Sequence, residues 1–92
     1  MKIVINTCYG GFCLSEKAYE LLGKPWDGYG FEYEDYEKRT DPKLIKCVEE
    51  LGEAAGGQFA NLKVVEIPDD VGWYIDEYDG WETIHEKHRW WG

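Results

Sequence analysis

Two cysteines and two histidines carry the side chains best suited to metal binding in this 92-residue chain. Cys8 and Cys13 lie near its start, and His85 and His88 lie near its end, so a Cys2His2 zinc site can be written down. The thiols are loosely spaced for a zinc ribbon, and histidines at i and i+3 of a strand point to opposite faces. We therefore predict no metal site and interpret these residues as packed or exposed side chains.

A nucleophilic cysteine is the second chemical possibility. Cys8 follows a β-branched stretch and precedes a turn into a helix, whose dipole could favour the thiolate, with His85 or His88 as the base. No third orienting group and no local signature accompanies the pair. A small Cys-His enzyme is thus the weakest of three functional hypotheses, and we expect a protein that is not an enzyme and needs no cofactor.

The turn Tyr9-Gly10-Gly11-Phe12 could bind an anion. Its backbone amides could contact a phosphate or carboxylate while a ring stacks on a base, although a tight turn that needs positive φ is the simpler interpretation. Near the other end of the chain, alternate residues of a predicted strand form a local cationic cluster in an acidic protein. The predicted ligand-binding residues are Cys8, Tyr9, Gly10, Gly11, Phe12, His85, Lys87, His88 and Arg89.

A third group of residues favours a protein partner. Residues 24–39, here called the flap, intersperse tyrosine and phenylalanine with acidic side chains, as in a solvated face or in a surface that imitates a nucleic-acid backbone. Two adjacent tryptophans near the C-terminus cannot both face one core, which favours a partner or a homodimer. The predicted partner-binding residues are Tyr29, Phe31, Tyr33, Tyr36, Trp90 and Trp91.

The elements that must position these residues follow from periodicity and capping signals. Ser15 is an N-cap candidate for a first helix, and Asp41-Pro42 begins a second that ends at Gly56-Gly57. Asp79-Gly80 is a strong hairpin signal. The predicted elements are β1 (2–6), α1 (15–22), the flap, either a short edge strand or an extended segment, α2 (from 42), β2 (62–67), β3 (73–78) and β4 (81 to about 87).

This order predicts one α+β domain over residues 1–92, a two-layer sandwich with both helices on one face of a mixed four-stranded sheet. In that sheet β2, β3 and β4 form an antiparallel meander. The continuous apolar run of β1 indicates a strand that is covered on both sides or central in the sheet. The predicted core comprises Ile3, Ile5, Leu21, Leu44, Val48, Leu51, Val64 and Ile67.

Composition limits the classes of function. The net charge is −9 with a pI near 4.6, which disfavours nonspecific nucleic-acid binding. No apolar stretch reaches the length of a membrane span or a signal-peptide core, so we expect a cytoplasmic protein with no membrane partner. Its three cysteines, Cys8, Cys13 and Cys47, are expected to be reduced.

Several segments together resemble a family of small uncharacterised proteins carried by phages and prophages. They are Met1-Lys2-Ile3-Val4-Ile5-Asn6, Cys8-Tyr9-Gly10-Gly11-Phe12, Asp41-Pro42-Lys43-Leu44, Ile67-Pro68-Asp69-Asp70-Val71, Tyr78-Asp79-Gly80 and His85-Glu86-Lys87-His88-Arg89. The chain departs from that pattern in the flap and at Cys13, where the family has Ser.

The resemblance implies a phage accessory protein that counters host defence in the cytoplasm of an infected or lysogenic bacterium. On this basis the first functional hypothesis is a binding protein that sequesters a small anionic, nucleotide-like ligand. The second is an acidic inhibitor that docks on a host defence protein through the flap and the Trp-rich end.

Overall fold

The computed structural model describes residues 1–87 of the chain. It confirms the α+β class and the order of the predicted helices and strands. The flap contains a 3-10 turn at Tyr36–Lys38, and a second 3-10 turn at Gly52–Ala55 follows the second helix. The regular elements are β1 (Lys2–Asn6), α1 (Glu16–Leu22), α2 (Pro42–Leu51), β2 (Leu62–Glu66), β3 (Gly72–Tyr78) and β4 (Trp81–Lys87).

Both helices begin where their capping residues predict. The Ser15 side chain accepts a hydrogen bond from the Ala18 N-H, and the Asp41 side chain accepts one from the Lys43 N-H. α2 ends at Leu51, earlier than predicted, because Gly52 takes a φ of 57° and the chain continues as a 3-10 turn to Ala55. The start of each helix is therefore as predicted from the sequence, whereas α2 ends one turn earlier than predicted.

The core has two parts, one on each face of the β1-β2 pair. Val4 and Leu62 face the helices and pack with Leu44 and Val48 of α2. Ile3 and Ile5 face the opposite way and pack against Ile75 of β3. β1 is thus covered on both sides, as its continuous apolar run predicts.

The prediction of a single mixed four-stranded sheet is wrong, because the strands pair differently. β1 pairs antiparallel with β2, and β3 pairs antiparallel with β4, as two separate sheets within residues 1–87. The outer edge of β1 is occupied by other groups: the Val4 N-H donates to the Arg39 carbonyl at 2.9 Å, and the Asn6 N-H donates to the Glu82 carboxylate at 2.8 Å. These acceptors satisfy the backbone N-H groups at the outer edge of β1, so no further strand of the described structure pairs there. The β3-β4 hairpin instead packs over the face of β1-β2 as a third layer.

The predicted core is correct except at one position. Ile3, Ile5, Leu44 and Val48 are buried, while Leu51, Val64 and Ile67 are partly buried against them. Leu21 is 48% exposed, because Ala18, Tyr19 and Leu22 form the face of α1 that meets the core. The prediction is therefore wrong for Leu21 alone among the predicted core residues, because it lies on the outer side of a two-turn helix.

The flap forms no strand in the described structure, so the edge-strand alternative is wrong. It is not a continuous extended segment either, because it contains bends, a turn and the 3-10 turn Tyr36–Lys38. The β3-β4 turn is as predicted, with positive φ at Asp79 (53°) and Gly80 (92°). Within residues 1–87, neither helix combines the length and the apolar character needed to cross a membrane.

Candidate functional site

A buried ion pair joins the flap to the hairpin. Arg39 is 0% exposed and Glu82 is 3% exposed, and two guanidinium nitrogens contact the two carboxylate oxygens at 2.5 and 2.8 Å. Arg39 also donates to the carbonyls of Tyr33 (3.0 Å) and Glu34 (2.8 Å). Its guanidinium lies 3.8 Å from the centre of the Phe12 ring. The positive charge is therefore compensated by groups inside the protein.

Asn6 fixes the glycine turn beside this pair. The Asn6 side chain is buried and donates to the carbonyls of Cys8 (2.7 Å) and Gly80 (2.8 Å). It also accepts from the Asn61 N-H at 2.9 Å. The last residue of β1 therefore holds the 8–12 turn against the tip of the hairpin.

These contacts create an open cleft of about 500 Å³, here called the acidic cleft. Three segments line it: the glycine turn, the flap and the hairpin. Its carboxylates outnumber Arg39, the one cation among its described lining residues, which Glu82 already neutralises. The lining residues are Gly10, Gly11, Phe12, Phe31, Glu34, Asp35, Tyr36, Arg39, Glu77, Gly80 and Glu82.

The charge on the rim of the cleft is largely uncompensated. Glu34 and Asp35 are exposed, and the nearest cation to Asp35 is Lys38 at 3.9 Å, a weak surface pair. Glu77 lies opposite Glu82 in the β3-β4 register, a like-charge pairing that is tolerable because Arg39 binds Glu82. The cleft therefore attracts a cationic group and repels an anionic one.

Tyr19 and Asp27 hold the near end of the flap in place. The buried Tyr19 hydroxyl donates to the Asp27 carboxylate and accepts from the Glu32 N-H, each at 3.0 Å. Burial raises the pKa of Tyr19 to about 12, so the hydroxyl keeps its proton. Hydrogen bonds from the Gly30 and Tyr29 N-H groups lower the pKa of Asp27.

The flap presents rings next to this charge. Phe31 (51% exposed) and Tyr36 (44%) line the acidic cleft, and Tyr29 stacks on Phe31 with 6.2 Å between ring centres. Tyr33, predicted to bind a partner, is buried in the core instead and is unavailable at the surface. Trp90 and Trp91 lie outside the described residues.

The predicted ligand-binding residues divide between two places. Gly10, Gly11 and Phe12 line the acidic cleft, and Phe12 is buried under Arg39. Gly11 takes a φ of 87°, as a tight turn requires, and a side chain at Gly10 would collide with Phe59. Tyr9 points elsewhere, to the hairpin, with its ring centre 5.2 Å from that of Trp81.

His85 lies on the same exposed hairpin face as Trp81. Cross-strand pairs place Tyr74 opposite His85, Asp76 opposite Thr83, and Tyr78 opposite Trp81. His85 stacks on Tyr74 with centres 5.2 Å apart and contacts the Thr83 hydroxyl at 2.9 Å. Lys87 ends β4, and His88 and Arg89 lie outside the described residues.

The cysteines occupy separate environments. Cys8 contributes its carbonyl to Asn6, Cys13 contacts the Tyr29 carbonyl at 3.1 Å, and Cys47 is buried between the helices. Burial raises the pKa of the Cys13 and Cys47 thiols, which favours the unreactive protonated form. Among residues 1–87, no group of three or more histidine, cysteine or acidic side chains could hold a metal ion.

Sequence reasoning missed Asn6, Arg39 and Glu82, the residues that build the cleft. One signal for Glu82 was available, because strand alternation places it on the same face as Ile84, which packs in the core. A carboxylate that is buried on that face needs a cation beside it. Arg39, a lone arginine ending an acidic segment, was the candidate.

No protein-family model, curated protein or solved structure matches this chain.

Proposed function

We propose that this chain is a small non-enzymatic binding protein that docks its acidic cleft onto a basic site of a host protein. The supporting observation is the rim of the cleft, where uncompensated carboxylates stand beside exposed rings. Exposed aromatic side chains beside charge suit a protein interface, where aromatic residues and arginines contribute most of the binding energy. In the phage setting that the sequence resembles, the target is a defence protein whose basic site normally binds nucleic acid.

The charge of the cleft favours the acidic inhibitor over the protein that sequesters a small anionic ligand, which is the opposite of the order suggested by the sequence alone. A nucleotide phosphate in the acidic cleft would face Glu34, Asp35 and Glu77, with Arg39 already neutralised by Glu82. A partner arginine meets the opposite situation, because it can stack on a ring and pair with a free carboxylate. The acidic inhibitor is thus the better supported hypothesis.

The test is charge reversal on the rim with a matched control. Glu34→Lys/Asp35→Lys changes the net charge as much as Glu16→Lys/Glu20→Lys does, but the control pair lies on α1 and outside the cleft lining. We expect the rim variant to lose protection of a phage plated on a defended host, while the control keeps it. Equal loss in both variants would mean that only net charge matters and would contradict a site at the cleft.

The small-ligand hypothesis is the second candidate, and one observation favours it. Tyr9 and His85, both predicted ligand residues, lie along one exposed hairpin face through Trp81 and Thr83. A base could stack there. Calorimetry with a panel of nucleotides tests it, and micromolar binding that Tyr9→Ala abolishes would promote this candidate over the inhibitor.

A further inference from the structure

The exposed face of the hairpin contains a small trough that is separate from most of the acidic cleft. It has room for about 190 Å³, or about six water molecules at liquid density. Rings form its walls, and it shares one lining residue, Glu77, with the acidic cleft. Its lining residues are Tyr9, Asp76, Glu77, Tyr78, Trp81 and Thr83.

The rings form an open corner. Tyr9 and Trp81 have centres 5.2 Å apart and planes inclined at 52°, so one cation can lie within about 6 Å of both rings. Tyr78 pairs with Trp81 across the strands and adds a third ring. All three are solvent-exposed, at 62%, 39% and 80% for Tyr9, Trp81 and Tyr78.

The charge of the trough suits a cation. Asp76 lies on the same face as the rings, Glu77 lines the trough where it borders the acidic cleft, and the described lining residues include no cation. Three rings with a carboxylate beside them are the chemistry that recognises alkylammonium groups. We propose that this trough binds the ammonium group of a lysine side chain, free or methylated, on a protein partner.

Hydrogen bonding within the trough favours lysine over arginine. One oxygen of Asp76 accepts from the Glu77 N-H at 3.0 Å, and one oxygen of Glu77 accepts from the Gly80 N-H at 2.5 Å. Each carboxylate therefore has one oxygen committed to the backbone. A guanidinium gains most from a carboxylate with both oxygens free, whereas an ammonium acts as a point charge and needs one.

The same charges select the source of the ammonium. A choline headgroup carries a phosphate next to its cation, and that phosphate would meet Asp76 and Glu77 in a protein of net charge −9. A lysine on a basic protein brings no such anion. The inference deepens the proposed function, because the trough adds a second contact for the same kind of partner.

The test uses the full chain and small probes, so it does not depend on the host target. Nuclear magnetic resonance titrations would follow the Trp81 indole and Thr83 amide signals with acetyl-trimethyllysine amide, acetyl-lysine amide and acetyl-norleucine amide, the uncharged analogue. We expect saturable shifts with both cations, stronger for the methylated one, and none with norleucine. Equal shifts with norleucine, no shifts with either cation, or tighter binding of acetyl-arginine amide or of phosphatidylcholine vesicles would overturn the proposal.

Variants locate the binding. Trp81→Leu and Tyr9→Leu should each raise the dissociation constant of trimethyllysine amide about tenfold, as loss of one cation-π contact predicts. Trp26→Leu, which replaces an exposed tryptophan that packs on Tyr19, is the matched control and should leave it unchanged. Unchanged binding in both trough variants would refute the site.

The two proposals fail separately. Glu34→Lys/Asp35→Lys alters the acidic cleft but no residue that lines the trough. If that variant still binds trimethyllysine amide while it loses phage protection, both proposals stand. If the wild type binds no ammonium but protects phage through the cleft, only the trough is refuted.

Discussion

Replacing the Arg39-Glu82 pair tests whether it acts only as an ion pair or also as a clamp. By clamp we mean that its side chains hold the backbone through hydrogen bonds to the Tyr33 carbonyl and the Asn6 N-H. Glu82→Gln leaves a buried guanidinium without its counter-charge, and Arg39→Met leaves a buried carboxylate without its own. Breaking a buried pair from one side costs about 3 to 5 kcal/mol in free energy of unfolding. That is a large part of the ~5 to 15 kcal/mol that stabilises a small domain.

The informative variant is the apolar double replacement, Arg39→Met/Glu82→Leu. An isolated buried ion pair replaced by apolar residues is often neutral or stabilising by ~1 to 4 kcal/mol. Here the replacement also removes the donor to the Tyr33 carbonyl and the acceptor of the Asn6 N-H, both buried hydrogen bonds. Each orphaned group costs about 1 to 3 kcal/mol, so the two together cost about 2 to 6 kcal/mol, part of which the apolar replacement offsets. We therefore expect the double variant to be less stable than the wild type, by at most about 6 kcal/mol.

Urea unfolding followed by tryptophan fluorescence and far-ultraviolet circular dichroism would measure these differences. A stabilising osmolyte can be present for all four proteins, because the single variants are expected to be only marginally folded. The coupling energy of the cycle should be favourable. A double variant as stable as the wild type would refute the clamp, and single variants that each cost less than about 1 kcal/mol would refute the burial of the pair.

Three further predictions address the core, the hairpin turn and pH. Leu44→Ala should lower the free energy of unfolding, measured in urea, by about 2 to 5 kcal/mol, because Leu44 is fully buried. Leu21→Ala should lower it by less than about 1 kcal/mol, because Leu21 is exposed. Equal costs would refute the assignment of the core face. Gly80→Ala should lower the melting temperature, because Gly80 has a φ of 92° and a Cβ there would lie 2.5 Å from a carbonyl oxygen of the glycine turn; an unchanged value would refute that packing. The pKa of Asp27 is lowered by the Gly30 N-H, so its stabilisation is present above the unfolded value near 3.8 and is lost as the pH falls through the folded value. The Tyr29 and Gly30 amide signals, whose N-H groups bind the Asp27 carboxylate, should therefore shift as the pH falls below 3.8, and Asp27→Asn should remove that transition.

Local signals predicted the local structure. Ser15 and Asp41 begin the helices, Asp79-Gly80 makes the hairpin turn, and the apolar run of β1 is buried on both faces. Each of these depends on residues close in sequence, where capping and turn chemistry decide the conformation. The same reasoning could not find the pairing of the strands, because that depends on which groups reach the edge of β1.

The site was predicted in part for the same reason. The glycine turn and the rings of the flap were recognisable as residue types, and Gly11, Phe31 and Tyr36 do line one cleft. The sign of its charge was not predictable from the turn, because it follows from carboxylates at positions 34, 77 and 82, which are distant in sequence and line one cleft. The glycine turn alone suggests an anionic ligand, whereas its acidic neighbourhood favours a cationic one.

The residues that build the cleft differ from those that we propose to give it specificity. Glu82 caps the edge of β1 and neutralises Arg39, so changing either residue alters stability and cleft together. The rim carboxylates Glu34 and Asp35 are exposed, and their side chains are free to change without loss of a buried contact. It follows that loss of activity in an Arg39 or Glu82 variant says nothing about recognition. Loss in a rim variant that unfolds at the wild-type urea concentration identifies the binding surface.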